Sequence, residues 1–81
     1  MPNGINNWTY RDITKFIKDK GFEFWKEKKG SHEAWINFSD NKVVELYYHG
    51  DKTPYSPKVM KLIAFQSGIS EDDWGFPFER K

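Results

Sequence analysis

The sequence predicts one α+β domain, a three-stranded antiparallel sheet with two helices on one face, in the order α-β-β-β-α. Three observations predict it. Ile13, Phe16 and Ile17 recur at helical spacing near the start. Strand-forming stretches separated by short polar turns fill residues 22–48. A second helical stretch opens on Ser56-Pro57 and closes at Gly68. Short turns between successive strands imply antiparallel pairing, and helices flanking such a meander cover one of its faces.

Residues 1–8 read as a lead-in rich in Pro, Gly and Asn. Thr9 caps the first helix, and Asp12, three residues on, completes a capping box with Asp in the usual Glu position. Gly21 is the natural stop. Phe22 to Lys28 is aromatic-rich but alternates poorly. Lys29-Gly30-Ser31 is a turn. His32 to Phe38 alternates, with Ala34, Ile36 and Phe38 on one face and Glu33, Trp35 and Asn37 on the other. Ser39-Asp40-Asn41 turns into Lys42 to Tyr48, and a loop runs from His49 to Tyr55. In the second helix Val59, Leu62, Ile63 and Gln66 form the expected inner stripe, flanked by Met60. Residues 71–81 read as an acidic, aromatic tail after a domain spanning 9–70.

At 81 residues the chain makes one domain, since chains rarely split below roughly 100–150 residues. It has no cysteine, so no disulfide or thiolate metal site staples it. Aromatics make up 19% of the chain and are the expected compensation. Trp8, Trp25 and Trp35 read as core; Trp74 falls in the tail. No apolar run approaches the roughly 20 residues that cross a bilayer, and no targeting segment is evident, so a soluble cytoplasmic protein is expected. Net charge is +1, which by itself argues for no polyanionic partner. Its distribution is uneven: Arg11, Lys15, Lys18, Lys20, Lys26, Lys28 and Lys29 stand early, and Glu71, Asp72 and Asp73 stand late.

The residues also resemble a known family. Ile13 to Phe22, Gly30-Ser31-His32, Tyr48-His49-Gly50, Ser56-Pro57 and Gly68-Ile69-Ser70 follow the order and spacing of the HicA/YcfA-like mRNA interferase toxins. The resemblance covers about residues 9–70. It implies a double-stranded-RNA-binding-like fold, mRNA cleavage that inhibits translation, and neutralisation by a HicB-like antitoxin. It also implies that His32 is the catalytic residue. Two positions depart from the pattern. Glu33 stands where a second His is common, and Tyr47 where Pro is common.

Histidine suits metal-free RNA cleavage, because its unperturbed pKa of about 6.5 lets it give or take a proton near neutrality. His32 falls where a turn enters a strand, with Ser31 and its backbone amides available to a phosphate. His49 is the other imidazole, and antiparallel pairing brings the start of the second strand to the end of the third. Lys26, Lys28, Lys29 and Lys52 are the expected phosphate contacts, together with Ser31. Glu33 and Glu45 read as solvent-facing strand residues. The histidines and carboxylates show no metal-ligand spacing, and no glycine loop cradles a nucleotide, so no metal or small-molecule cofactor is expected. Two other functions fit the same sequence: a non-catalytic RNA-binding module of the same fold, and a protein-interaction domain using the aromatic tail.

Overall fold

The structure, a computed structural model, describes residues 4–76. Helix α1 (Tyr10–Asp19) is followed by strands β1 (Glu23–Lys28), β2 (His32–Asn37) and β3 (Lys42–Tyr47), and then by helices α2 (Pro57–Ser67) and α3 (Glu71–Trp74). The sheet is antiparallel with order β1-β2-β3.

The caps follow from local chemistry. The Thr9 hydroxyl accepts from the Asp12 amide, and the Asp12 carboxylate accepts from the Thr9 amide at 3.2 Å, so free donors at the helix start are satisfied reciprocally. The Ser56 hydroxyl accepts from the Val59 amide, with Pro57 at the first helical position. Gly68 ends α2 at φ +73°, a left-handed conformation that costs glycine little.

The core lies between the helices and one face of the sheet. Ile13, Phe16 and Ile17 of α1 and Met60, Ile63 and Ala64 of α2 meet Trp35 of β2 and Val44 and Leu46 of β3. The inner stripe of α2 is therefore Met60, Ile63, Ala64 and Ser67, rotated from the stripe expected on sequence. Both stripes keep helical spacing and share Ile63. The helix is apolar around more than one face, so periodicity alone does not choose between them. Val59 and Leu62 stay substantially exposed.

The two faces of β2 also differ from expectation. Trp35 and Asn37 face the helices, yet Ala34 and Ile36 on the opposite face are buried too. β2 is the central strand. Ala34 is flanked by Lys26 and Glu45, and Ile36 by Glu23 and Val43, so neighbouring side chains shield them. Phe38 lies beyond the strand end and is exposed. β1 is an edge strand exposed throughout, and its register shifts between Phe24 and Lys26. That bulge leaves Trp25 unpaired and about half exposed, not in the core, and accounts for the poor alternation of β1.

Both ends of the described chain belong to the body. Trp8 is fully buried and packs edge-to-face on Trp74 at 5.2 Å and on Phe16 at 5.8 Å. Phe76 closes the cluster 6.0 Å from Trp8. The Gly4 amide donates to the Gly75 carbonyl at 3.1 Å, tying the start of the described segment to its end. The acidic residues Glu71, Asp72 and Asp73 form the short first turn of α3, where negative charge suits the helix dipole. Trp74 and Phe76 are buried, which removes them from any surface that an aromatic interaction tail would need. Phe78 lies outside the described residues.

Candidate functional site

His32 and Tyr47 are register partners across β2 and β3, and their rings lie 5.1 Å apart on the sheet face away from the α1 packing. From Tyr47 the aromatic contacts continue. His49 is 6.1 Å from Tyr47, and Tyr55 is 4.3 Å from His49 with the rings tilted by 31°. These side chains line a cavity of about 460 Å³ beside β3. The opposite wall is the outer flank of α2, formed by Val59, Leu62 and Gln66. The α2 stripe expected in the core thus forms much of the cavity wall.

The loop carrying His49 is held by local bonds. The Tyr55 amide donates to the Trp8 carbonyl at 2.7 Å, and Thr9 bridges to Pro54, so residues just before α1 clamp the loop. The Tyr55 hydroxyl donates to the Tyr47 carbonyl at 2.6 Å, while its ring lies against that of His49. Burial, then the negative charge of Glu33, pushes the Tyr55 phenol up to about 12, so it remains a hydrogen-bond donor near neutrality. His49 Nε2 lies 3.2 Å from the Thr53 carbonyl. A carbonyl oxygen only accepts, so this bond requires the proton on Nε2 and leaves Nδ1 of the neutral ring with its lone pair.

Glu45 lines the same cavity and ion-pairs with Lys28. The hydrogen bond and charge of Lys28 hold the Glu45 carboxyl below its ordinary range, with a smaller contribution from His32. The neighbouring amide of Glu45 itself donates to the Gln66 side-chain oxygen at 3.0 Å, so α2 covers a free donor on the β3 edge.

Glu33 faces the other way. Its Oε1 accepts from the Tyr10 hydroxyl at 2.7 Å and from Trp35 Nε1 at 3.0 Å. It is half-buried under α1, not a solvent-facing strand residue, because the inward face of β2 begins at residue 33. Alternation separates it from His32.

The sequence-predicted residues therefore divide. His32 and His49 line one cavity, and Lys28 reaches it through Glu45. Lys26, Lys29, Ser31 and Lys52 are exposed and lie outside its wall. Lys26 Nζ rests over the Trp25 ring at 4.4 Å. Gly30 and Ser31 both take left-handed backbone conformations, at φ 65° and 67°, and make the tight turn that delivers His32 to its strand. Sequence reasoning missed Tyr55, Gln66, Val59 and Leu62 as wall residues. The available signal was the amphiphilic ambiguity of α2, whose second apolar stripe needed a use. Among the described residues, no three His, Cys, Asp or Glu side chains gather at metal-binding distance. Nor is any helix among them long and apolar enough to cross a membrane. No known protein family, curated protein or solved structure matches the chain.

Proposed function

We propose that this chain is an RNA-directed toxin of the HicA type, a cytoplasmic endoribonuclease that cuts mRNA by histidine acid–base chemistry on a double-stranded-RNA-binding-like fold. The observation that carries the reading is the shared cavity of His32 and His49, bridged by Tyr47. In this reading the neutral His49 ring, with its Nε2 proton engaged by Thr53, takes the proton of a ribose 2′-hydroxyl on Nδ1. The 2′-oxygen bonds to phosphorus, and the bond from phosphorus to the 5′-oxygen breaks. The protonated His32 ring supplies the leaving oxygen with its proton. The products are a 2′,3′-cyclic phosphate and a free 5′-hydroxyl. Lys28, beside His32 in register, opposes charge building on the phosphoryl oxygens. Its partner Glu45 must give up part of that cation to the RNA.

The resemblance at Gly30-Ser31-His32 supports the same reading, and with it a HicB-like antitoxin as protein partner. Incubation of labelled RNA with purified protein tests it. Cleavage by the wild type and its loss in His32→Ala is the expected result. Intact RNA in the wild-type reaction, together with unimpaired growth of bacteria expressing the protein, overturns it.

One observation favours a second reading, a non-catalytic RNA-binding module of the same fold. Glu33, where a second histidine is common in the resembled family, is committed to Tyr10 and Trp35. Salt-dependent RNA binding without cleavage is the outcome that selects it.

A further inference from the structure

We infer that the cavity between His32 and α2 is a base-selective subsite that takes a keto-bearing RNA base, uracil in the first instance. The inference rests on the RNA reading above and deepens it.

Two side chains of the wall already have an acceptor engaged. Gln66 accepts the Glu45 amide on its side-chain oxygen at 3.0 Å. The partner is a backbone N–H, so the engaged atom is the oxygen, and the amide nitrogen is the end left free. Ser56 accepts the Val59 amide on its hydroxyl oxygen at 3.2 Å, which leaves the O–H to donate elsewhere. Both residues line the cavity. Backbone bonds thus hold both, and among the described residues neither spare donor meets an acceptor.

The rest of the wall suits a flat ring. Leu62 and Val59 stand on the α2 side, exposed despite their apolar character, and the Tyr47 ring stands on the sheet side, about half exposed. A base inserted between them covers apolar surface on one face and stacks on an aromatic ring on the other. A cavity of about 460 Å³ has room for a base and part of its ribose. A ligand that satisfies donors must offer acceptors. With the Gln66 amide at the 4-position, uracil offers its keto oxygen where cytosine carries an amino group, which meets a donor with a donor, and the Ser56 hydroxyl is left for the 2-keto oxygen that both bases share. The bound base also lies beside both imidazoles, so its neighbouring phosphate falls within their reach.

Binding of 2′-O-methyl oligouridine and oligocytidine tests this at one fixed salt concentration. The methyl group blocks cleavage, so the readout is affinity alone. Wild-type protein is expected to prefer oligouridine by about tenfold, the scale of one well-formed base contact. Gln66→Glu keeps the oxygen that covers the Glu45 amide and replaces the free donor with an acceptor, so the preference is expected to invert toward oligocytidine. Gln66→Met, which removes both groups, is expected to abolish it. Equal binding of the two oligomers by wild type, or an unchanged order in Gln66→Glu, overturns the base subsite and leaves the RNA reading standing. Absence of binding to either oligomer overturns both.

Discussion

Tyr47 stands directly opposite His32 across β2 and β3, its ring 5.1 Å away, and so occupies the space between the two histidines of the chain. The pairing follows from strand register, because the short 38–41 turn sets Asn37 against Lys42 and every later pair in step. A ring at this position touches both imidazoles, its centre 5.1 Å from His32 and 6.1 Å from His49.

Replacing either imidazole tests the shared site. His32→Ala and His49→Ala are each expected to slow RNA cleavage by about 10²–10⁴-fold, the range for loss of one positioned acid or base. The double variant is expected to be little slower than the worse single one, since in the proposed mechanism the two groups act as a unit. Single-turnover cleavage by purified variants measures this. Both histidines are exposed, so thermal unfolding is expected to move little.

The Lys28–Glu45 pair makes a different prediction. Glu45→Gln releases Lys28, so RNA affinity is expected to rise and the slope of log K against log salt to steepen by about 0.7 for a single strand. Stability is expected to change by less than about 1 kcal/mol, because the pair is largely exposed and screened. Its pH dependence has a definite sign. Lys28 lowers the folded carboxyl pKa, so the small stabilisation is present above the ordinary carboxylate value and fades as pH falls through the lowered one. Salt-dependent binding titrations, and melts on the acid side, check both parts.

Much of the fold was legible because its signals are local. Thr9 with Asp12, and Ser56 with Pro57, announce helix starts whatever packs on them, and the polar turns announce an antiparallel meander. Where packing decides, sequence alone falls short. Val59, Leu62 and Gln66 share helical spacing as good as that of Met60, Ile63 and Ser67, and only the position of the sheet selects the inner stripe. Trp8 and Trp74 lie outside the periodic elements, so nothing local showed that they meet at 5.2 Å. For the site, His32 and His49 were legible through strand pairing. Glu33 was not, because its partners Tyr10 and Trp35 are 23 and 2 residues away.

Alkaline titration probes the half-buried Tyr10 and the buried Tyr55. Burial and the Glu33 carboxylate raise the Tyr10 phenol far above its ordinary value, and burial raises Tyr55 to about 12. A raised folded pKa means the folded state holds its proton longer than the unfolded chain. The stabilisation is therefore fully present below about pH 10 and is lost as pH climbs through the folded values. Tyr10→Phe with Tyr55→Phe is expected to flatten the fall in stability above pH 10. Denaturant melts of wild type and the double variant between pH 8 and pH 12 measure the difference; parallel curves contradict the assignment.

The aromatic ends of the described chain carry the last prediction. Trp74 is buried against Trp8 and Phe16, at 5.2 and 4.3 Å, and its Nε1 donates to the Ser67 hydroxyl at 3.3 Å. Trp74→Ala empties that space and is expected to cost about 3–5 kcal/mol. A domain this small has only about 4–12 kcal/mol in total, at roughly 0.05–0.15 kcal/mol per residue, so the variant is expected to lose a large share of its stability and to unfold at a markedly lower temperature. Trp25→Ala is the control. It removes the same side chain from an exposed bulge and is expected to cost less than about 1 kcal/mol. The loss is expected to reach the cavity as well, because Trp8, the partner of Trp74, accepts the Tyr55 amide that anchors the His49 loop. At a temperature where Trp74→Ala remains folded, amide exchange in residues 48–56 is expected to quicken relative to the sheet. Chemical denaturation with hydrogen exchange on the two variants separates these effects, and equal costs for Trp74 and Trp25 would contradict the packing described.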